Sequence, residues 1–510
     1  MPCPQALGGA VTNVTNTIET GATAEGSAEG KLPLGALIAL VVGSMIGGGI
    51  FALPSQMAAA AAPGPLIIGW LITGIGMLAL AFAFQALSRR RHEIDGGVYG
   101  YARAGFGNYI GFTSAWGYWL SAWIGNIGYL VLLFSTLGYF FPAFKSDQNL
   151  LVDGGANILV IIGSSVLIWV LHFLLLAGVR EAAFINTVVT IAKVVPILTF
   201  IVLVGLAFNA GVFSQDFWGE TTLFEGETLG GAFDQVKNMM LITVWVFIGI
   251  EGASVYSSRA KKRSDVGKAT VIGFVGVLAL LVAVNLFSFA VMQRPEIAAL
   301  EDPSMAGVLA HVVGPWGAAF VAIGLIVSLL GAILAWVLLC AEIFREPSNE
   351  AILPTWVGRL NSKGTPSGAL WLTTIAMQIL LIWTIFNGSG YTALIILASS
   401  LILLPYFWSA LFQLINAIKG EGYEGGKGRA SDILVGVIAT VYGLWLVYAG
   451  GLGYLLIAAI FYLVGTPLYI WARKEAKAKV FSTVDLIVMI IVVLASIAGI
   501  ILLAMGVITV

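Results

Sequence analysis

Glycine interrupts two long apolar segments of this chain. The first interruption spans residues 43–51 (GSMIGGGIF) and the second spans residues 245–252 (WVFIGIEG). A backbone that leaves the helix inside a bilayer must find new hydrogen-bond partners, so it persists only where it is buried in protein or lines a cavity. Interrupted segments at matching positions of two halves are typical of a transporter's binding site.

The composition requires many membrane spans. Of 510 residues, 59% are hydrophobic and only 10% are charged, whereas about 25% are charged in an average soluble domain. The net charge of −1 gives no sign of a nucleic-acid-binding surface. Cys3 and Cys340 are too far apart in sequence to indicate a disulfide framework, and the scattered His92, His172 and His311 indicate no metal site. We therefore expect no cofactor.

The N-terminal residues 1–30 are rich in Thr, Ala, Gly and Glu. They lack both the basic start and the apolar run of a signal peptide. Polar segments of this kind cannot bury enough apolar surface to fold. We predict a disordered cytoplasmic tail.

A membrane-spanning helix needs about 20 mostly apolar residues. The hydropathy pattern predicts thirteen such spans, at about 33–60, 65–88, 98–141, 155–177, 184–207, 233–257, 269–292, 315–343, 369–387, 391–418, 432–450, 452–471 and 482–508. The third is long enough for a tilted helix and a flanking amphipathic turn that contains Tyr99, Tyr101 and Arg103.

The distribution of basic residues orients these spans. With the N-terminus in the cytoplasm, the cytoplasmic segments contain 20 of the 25 lysines and arginines, as the positive-inside rule requires. The C-terminus then lies outside. The outer loops are acidic instead, with Glu301 and Asp302 among their residues. An acidic outer face would attract cationic solutes, although acids also simply fill loops that cannot be basic.

Spans one and six each begin a set of five, and an odd number of spans inverts the second set relative to the first. This predicts an all-α transporter with a five-plus-five inverted-repeat core over residues 31–420. Residues 421–510 would add three further transmembrane helices. No glycine cluster ends in the Gly-Lys-Ser/Thr of a nucleotide-binding loop, so we expect ion or solute gradients to supply the energy.

The two interruptions offer complementary chemistry. Free amides around Gly47, Gly48 and Gly49 would begin a half-helix and suit a carboxylate. Free carbonyls near Trp245 and Ile248 would suit an ammonium group. A pocket with both is an α-amino-acid site. The alternative is that these glycines only permit close helix packing.

Several motifs resemble those of one family. Residues 43–54 are similar to the first-span motif of the amino acid–polyamine–organocation superfamily, and residues 96–107 to the start of its third span. Residues 118–127, 245–251 and 351–366 closely resemble the basic amino acid/polyamine antiporters. The resemblance covers spans one to twelve. It is strongest to the arginine/ornithine antiporters, through residues 114–119 and the thirteenth span.

The resemblance implies roles for individual residues. The amides of Gly48 and Gly49 would bind the substrate carboxylate, and carbonyls near Met45, Trp245 and Ile248 the α-amine. Side chains would complete the pocket: Ser121, Ala122 and Asn126 around the distal cationic group, the Trp245 indole over that group, Trp336 at the pocket floor, Tyr118 as a gate, and Ser399 or Ser400 from span ten. The arginine/agmatine relatives carry a serine in place of Gly48, and relatives usually carry a cysteine in place of Ala122.

Two ionisable residues, Lys193 and Glu251, lie well inside predicted spans. Burying a charge there is costly, so such residues are functional or paired. The resemblance places Glu251 in a gating, proton-linked network. It matches Lys193 to a position where some relatives bind sodium and others use lysine. Alternatively, each is a structural charge paired with the other or with carbonyls.

The resemblance implies an inner-membrane antiporter that imports arginine and exports ornithine by alternating access. The open alternatives are lysine/cadaverine or arginine/agmatine exchange, proton-coupled uptake, and, outside transport, a nutrient sensor. A channel would need a continuous polar stripe, which is not evident. No nucleophile–base pair supports an enzyme. A homodimer is plausible because relatives form one.

Overall fold

The computed structural model describes residues 34–145, 148–152, 155–178, 183–220, 228–251, 263–387 and 390–508. Within these ranges the protein is helical, and its only strand-like pairings are two isolated bridges. The helices are α1 (Leu34–Met45), α2 (Leu53–Ala60), α3 (Pro63–Arg90), α4 (Val98–Phe106), α5 (Asn108–Leu137), α6 (Ile158–Leu176), α7 (Ala183–Leu206), α8 (Ala210–Gln215), α9 (Ala232–Trp245), α10 (Arg263–Phe289), α11 (Arg294–Ala298), α12 (Ser304–Val313), α13 (Pro315–Ile343), α14 (Arg345–Asn349), α15 (Thr355–Gly358), α16 (Ser367–Asn387), α17 (Tyr391–Lys419), α18 (Arg429–Glu475) and α19 (Thr483–Ala504). The predicted tail, residues 1–30, lies outside the described residues.

Ten of the described helices are long and apolar enough to cross a bilayer. The protein is therefore a multi-pass, all-helical membrane protein. The sequence predicts thirteen spans rather than ten. Two of the three further predicted spans are the interrupted ones: the described helices of the first are too short to be counted, and the sixth continues into residues outside the described part of the chain. The third depends on how α18 is divided.

The first predicted span consists of two short helices. α1 has 12 residues and α2 has 8, each less than the roughly 20 that a bilayer requires. Between them the chain leaves the helix and then forms one 3₁₀ turn at Gly49–Phe51. The sixth predicted span also begins as a short helix, α9, which ends at Trp245. Its continuation, residues 252–257, lies outside the described residues.

The third predicted span, 98–141, is two helices rather than one helix with a flanking turn. α4 and α5 meet at Gly107, which has φ 106°, a conformation that L side chains rarely adopt. Tyr99 and Tyr101 are buried on α4, while Arg103 is only half-buried. The amphipathic pattern therefore forms its own short helix, and α5 is the membrane-spanning part.

Helix α18 contains the predicted eleventh and twelfth spans. It has 47 residues, and a straight helix of that length would measure about 70 Å, far more than the roughly 30 Å hydrocarbon core. Gly451 interrupts it with φ 79° and ψ 157°. The interruption coincides with the predicted boundary between spans 432–450 and 452–471.

Helix α5 lies at the centre of the bundle. In its apolar stretch 83% is buried within the protein, compared with 17% for α19. Small residues permit this position: at Gly117 a side chain would meet the carbonyl oxygen of Leu401 at 2.8 Å, and at Gly128 it would meet the Tyr391 ring at 3.3 Å. Close approach of backbones through small residues is the usual means of helix association in membranes.

The C-terminal helices pack directly on the preceding bundle. A β-carbon at Gly76 of α3 would collide with the ring of Tyr442 in α18. The Trp116 ring of α5 lies equally close to Gly465. Residues 421–510 are therefore joined to the bundle by tight contacts and not only by the chain.

We predict that Gly76→Val lowers the melting temperature of the purified protein, because overpacking a tight contact costs about 1–3 kcal/mol. Gly276→Val is the matched control, since no atom lies within 4 Å of a β-carbon at that helical position. Thermal unfolding in detergent, followed by tryptophan fluorescence, measures both. Equal melting temperatures for the two variants would contradict the packing described for α18.

Candidate substrate-binding site

The first helix break leaves backbone amides without backbone acceptors. Ile46, Gly47, Phe51 and Ala52 donate to carbonyls of this segment. Among the described residues, the amides of Gly48, Gly49 and Ile50 donate to no backbone carbonyl. The Gly48 amide faces the Tyr129 hydroxyl. The amides of residues 49 and 50 are therefore the ones available to an anionic group, as expected at the start of a half-helix.

Steric contact, rather than unusual backbone torsion, explains the three glycines. Gly48 has φ −68° and ψ −20°, which any residue can adopt. A β-carbon at Gly47 would collide with the Tyr129 hydroxyl, and one at Gly49 would lie 3.0 Å from the Trp245 ring. The glycines therefore permit close packing, and the partners they admit include two aromatic rings beside the break, Tyr129 and Trp245.

The second break leaves backbone carbonyls without backbone donors among the described residues. After Trp245 the chain makes tight turns, with the amide of Ile248 donating to the Trp245 carbonyl at 3.3 Å and that of Ile250 to Phe247 at 3.1 Å. Gly249, within these turns, has φ 105°, a conformation that L side chains rarely adopt. Among the described residues no backbone amide donates to the Ile248 carbonyl, whereas the Met45 carbonyl of the first break accepts from Gly47 at 3.1 Å.

The Trp245 side chain joins the two breaks. Its ring is 5% exposed and lies against Gly49 of the first break and Gly125 of α5. Its indole N–H donates to the Tyr391 hydroxyl at 3.0 Å. Its centroid is 5.4 Å from that of Tyr129. Of the residues predicted from sequence, Trp245 is the one whose contacts connect the two breaks.

One face of α5 carries the other predicted residues. Tyr118, Ser121, Ala122 and Asn126 recur three or four positions apart, which aligns them along a helix. Ser121, Ala122 and Asn126 are all at most 2% exposed. The stripe continues to Tyr129, which sequence analysis missed although it lies one turn beyond Asn126.

Two buried side-chain oxygens on this face of α5 have no hydrogen-bond partner among the described residues. Asn126 donates through Nδ2 to the Ile333 carbonyl at 3.3 Å, but its Oδ1 has no partner among the described residues. The hydroxyl of Ser121 is likewise buried without a partner there. Buried polar atoms are rarely left unsatisfied in a native protein, so these oxygens are candidates for ligand contact.

Span ten offers one serine rather than two. The Ser400 hydroxyl donates to the Leu397 carbonyl at 2.7 Å. The Ser399 hydroxyl is buried and has no partner in the described part of the chain. Ser399 is therefore the better candidate, a distinction that the sequence could not make.

Trp336 has fewer contacts that connect it to the site than Trp245 has. It is only partly buried on α13, and none of the ring contacts among described residues involves it. However, it follows Leu329 and Ile333 at helical spacing. Leu329 lies against Gly48, and Ile333 accepts from Asn126, so Trp336 shares the face of α13 that reaches the first break and α5.

Lys193 supports the end of α1. Its Nζ donates to the carbonyls of Gly43 and Ile46 at 2.8 and 2.9 Å. The last carbonyls of a helix lack internal partners and carry partial negative charge, which favours a cation. These contacts agree with the carbonyl-paired alternative for Lys193.

Glu251 connects three helical segments. Its carboxylate accepts from the Tyr118 hydroxyl of α5 at 2.5 Å and from the Tyr406 hydroxyl of α17 at 2.6 Å. It also accepts from the Gly249 amide at 3.1 Å. Hydrogen bonds to an ionised group in a low-dielectric interior are short and strong. Tyr406 was not predicted, and its position one residue after Pro405 gave no sign of this role.

Two interrupted helices that meet at the buried Trp245 ring, inside a bundle of ten described helices able to cross a bilayer, are typical of multi-pass solute carriers. The chain belongs to the amino acid permease family, whose pattern it matches over residues 33–493. Among its relatives, it is 53% identical to the arginine/ornithine antiporter of Pseudomonas aeruginosa, over 92% of this chain and 96% of that protein.

Two further relatives are named for different substrates. The L-lysine transport protein of Corynebacterium glutamicum is 42% identical over 92% of this chain and 94% of that protein. The arginine/agmatine antiporter of Chlamydia caviae is 40% identical over 87% of this chain and 90% of that protein. All three are named as transporters, none as an enzyme.

We predict that Lys193→Met lowers the thermal stability of the purified protein, because it leaves two buried carbonyls unpaired at about 1–3 kcal/mol for each unsatisfied group. The control is Lys268→Met, which removes an exposed lysine near the start of α10. Melting in detergent compares the two. Stability unchanged from wild type in Lys193→Met would exclude the proposed support of α1.

Proposed function

We propose that this chain is an antiporter of cationic amino acids that takes up arginine in exchange for ornithine. The observation that carries the proposal is the pair of broken helices that meet at Trp245, with donors on one side and a carbonyl on the other. The names of the relatives support the dibasic substrates, and identity over nearly the whole chain favours arginine and ornithine.

In the proposed binding mode the substrate lies between the two breaks. The amides of Gly49 and Ile50 bind its carboxylate, with Gly47 and Gly48 permitting the close approach, and carbonyls at Met45, Trp245 and Ile248 bind its α-amine. The indole of Trp245 covers the distal cation. A cation over an indole face is worth about 0.5–2 kcal/mol.

The rest of the pocket would recognise the end of the substrate side chain. The unpartnered oxygens of Asn126 and Ser121 accept hydrogen bonds from its guanidinium or ammonium group, beside Ala122. Trp336 limits the depth of the pocket. Because arginine and ornithine both carry two cationic groups and one carboxylate, a single site serves both.

We further propose that exchange needs no coupled ion. A fixed ammonium at Lys193 takes the place that a sodium ion would occupy at the end of α1. Tyr118 and Glu251 close one side of the pocket as a gate. Exchange of two substrates with equal charge moves no net charge, so only the two substrate gradients drive it.

The proposed architecture has thirteen spans, because the two broken segments and the division of α18 at Gly451 add to the ten long helices. Residues 31–420 form a ten-span inverted-repeat core, with three spans after it. The basic loops favour an inner-membrane protein with a cytoplasmic N-terminus, preceded by the tail 1–30, and an external C-terminus. We propose a homodimer as the assembly, as the family resemblance implies.

The function is tested in proteoliposomes. Vesicles preloaded with ornithine should take up labelled arginine, whereas empty vesicles should not, with or without an inward proton gradient. Unlabelled arginine, ornithine, lysine, agmatine and cadaverine should compete in an order that identifies the physiological pair. Uptake into empty vesicles driven by external acid would instead establish a proton-coupled carrier.

We predict that Trp245→Leu raises the KM for arginine about 2- to 30-fold, the loss expected for one cation–π contact. Trp316→Leu is the control, because Trp316 is 54% exposed on α13. Initial exchange rates over a range of arginine concentrations give both KM values. A KM unchanged from wild type in Trp245→Leu would remove this residue from the binding site.

A further inference from the structure

A large cavity opens beside the proposed site. It has a volume of about 680 Å³, within the usual range of small-molecule sites. Its walls come from the outer half of α5, residues within 138–145 and 155–161, the segment from residue 300 into α12, and the first residues of α17. We call this cavity the vestibule. The predicted orientation places it on the external face.

The vestibule reaches the residues around Trp245. Tyr391 lines the vestibule, and the hydroxyl of that residue accepts the indole N–H of Trp245 at 3.0 Å. The Tyr391 and Trp245 side chains therefore lie between the vestibule and Gly49 of the first break. A substrate that moves from outside toward the breaks would pass through this cavity.

The charges of the vestibule mirror those of a dibasic amino acid. Glu301 and Asp302 supply two carboxylates, and Lys145 supplies one ammonium. Arginine and ornithine carry two cations and one carboxylate. Walls of opposite charge in a cleft raise the local concentration of a ligand.

Asp302 is the residue whose contacts point most directly to a ligand. Its carboxylate lies near the Ser304 amide and the Ser55 side chain, but the Ser55 hydroxyl donates to the Ala52 carbonyl. The Oδ1 atom of Asp302 is shielded from solvent and has no hydrogen-bond partner among the described residues. Asp302 is also close enough to Tyr391 to interact with it electrostatically. A buried carboxylate oxygen without a partner is costly, and a bound cation would satisfy it.

We propose that the vestibule is a second binding site, where an external cationic amino acid places its cationic groups at Asp302 and Glu301 and its carboxylate at Lys145 before it reaches the helix breaks. This proposal rests on the proposed function. It adds a site that acts on one face of the membrane only, since the vestibule opens to one side.

The test compares the two faces. Intact cells expose the external face, and inside-out membrane vesicles from the same cells expose the other. Asp302→Asn should raise the KM for external arginine about tenfold, and Glu301→Gln about two- to threefold, because the latter residue is exposed and screened. The KM at the cytoplasmic face should not change. Glu296→Gln is the control: Glu296 is exposed on neighbouring α11, outside the vestibule, and glutamine preserves its capping role.

External pH provides a readout that a purely structural role would not alter. Burial raises the pKa of Asp302 to about 7, so the carboxyl is neutral below that pH and charged above it. Ser55 of α2, Tyr391 of α17, Lys145 and the adjacent Glu301 are the polar or charged groups around it. The external KM of the wild type should therefore rise as pH falls through 7, and Asp302→Asn should remove this dependence.

The outcomes separate the two proposals. If the wild type exchanges arginine but the Asp302 and Glu301 variants keep its external KM, the vestibule site is wrong and the proposed function stands. Equal changes at both faces would also overturn the vestibule site, because they would indicate damage to the shared pocket. If the wild type exchanges no cationic amino acid, both proposals fail. Size-exclusion profiles that match wild type establish that the variants are folded.

Discussion

Unpaired backbone groups at two helix breaks are the constraint on which the rest of this structure depends. Lipid cannot hydrogen-bond an exposed amide or carbonyl, so each break must be enclosed by protein. That enclosure comes from α5, α13 and α17. Tyr129 and Leu329 lie against the first break, and Tyr391 is hydrogen-bonded to Trp245. The same requirement selects glycine at positions 47–49, because the enclosing rings approach too closely for a β-carbon.

Periodicity and length predicted the elements well, because a membrane span has a nearly fixed size. Most spans were placed within a few residues, and the two breaks were located from glycine alone. The sequence failed where one apolar run contains two helices. Nothing in hydropathy distinguishes a turn at Gly107 from a continuous helix, since the decision depends on the positive φ of a single residue. Gly451 was placed correctly because a run of that length has to be divided.

For the candidate site, motifs located residues on the breaks and on α5, but they could not identify residues contributed across the fold. Tyr391 and Tyr406 lie at different depths of α17, and only the packing of that helix brings one to Trp245 and the other to Glu251. Which of Ser399 and Ser400 retains a free hydroxyl depends on local helix hydrogen bonding, which the sequence does not encode directly. Lys193 binds the end of α1 because the last carbonyls of a helix carry partial negative charge. This partner can be predicted only once the break that ends α1 has been located.

Lys193 and Glu251 differ in how a movement of the helices would affect their hydrogen bonds. Lys193 of α7 donates to carbonyls at the end of α1, so it keeps these partners only where α1 and α7 move together. Glu251 is held by hydroxyls from α5 and α17, and any separation of those helices from the second break would strip a buried carboxylate of its donors. Such a loss costs several kcal/mol in a low-dielectric interior unless another donor replaces it. In the proposed mechanism the bound cation offsets that cost, which gives a physical reason for an empty carrier to reorient slowly and for exchange to require a return substrate.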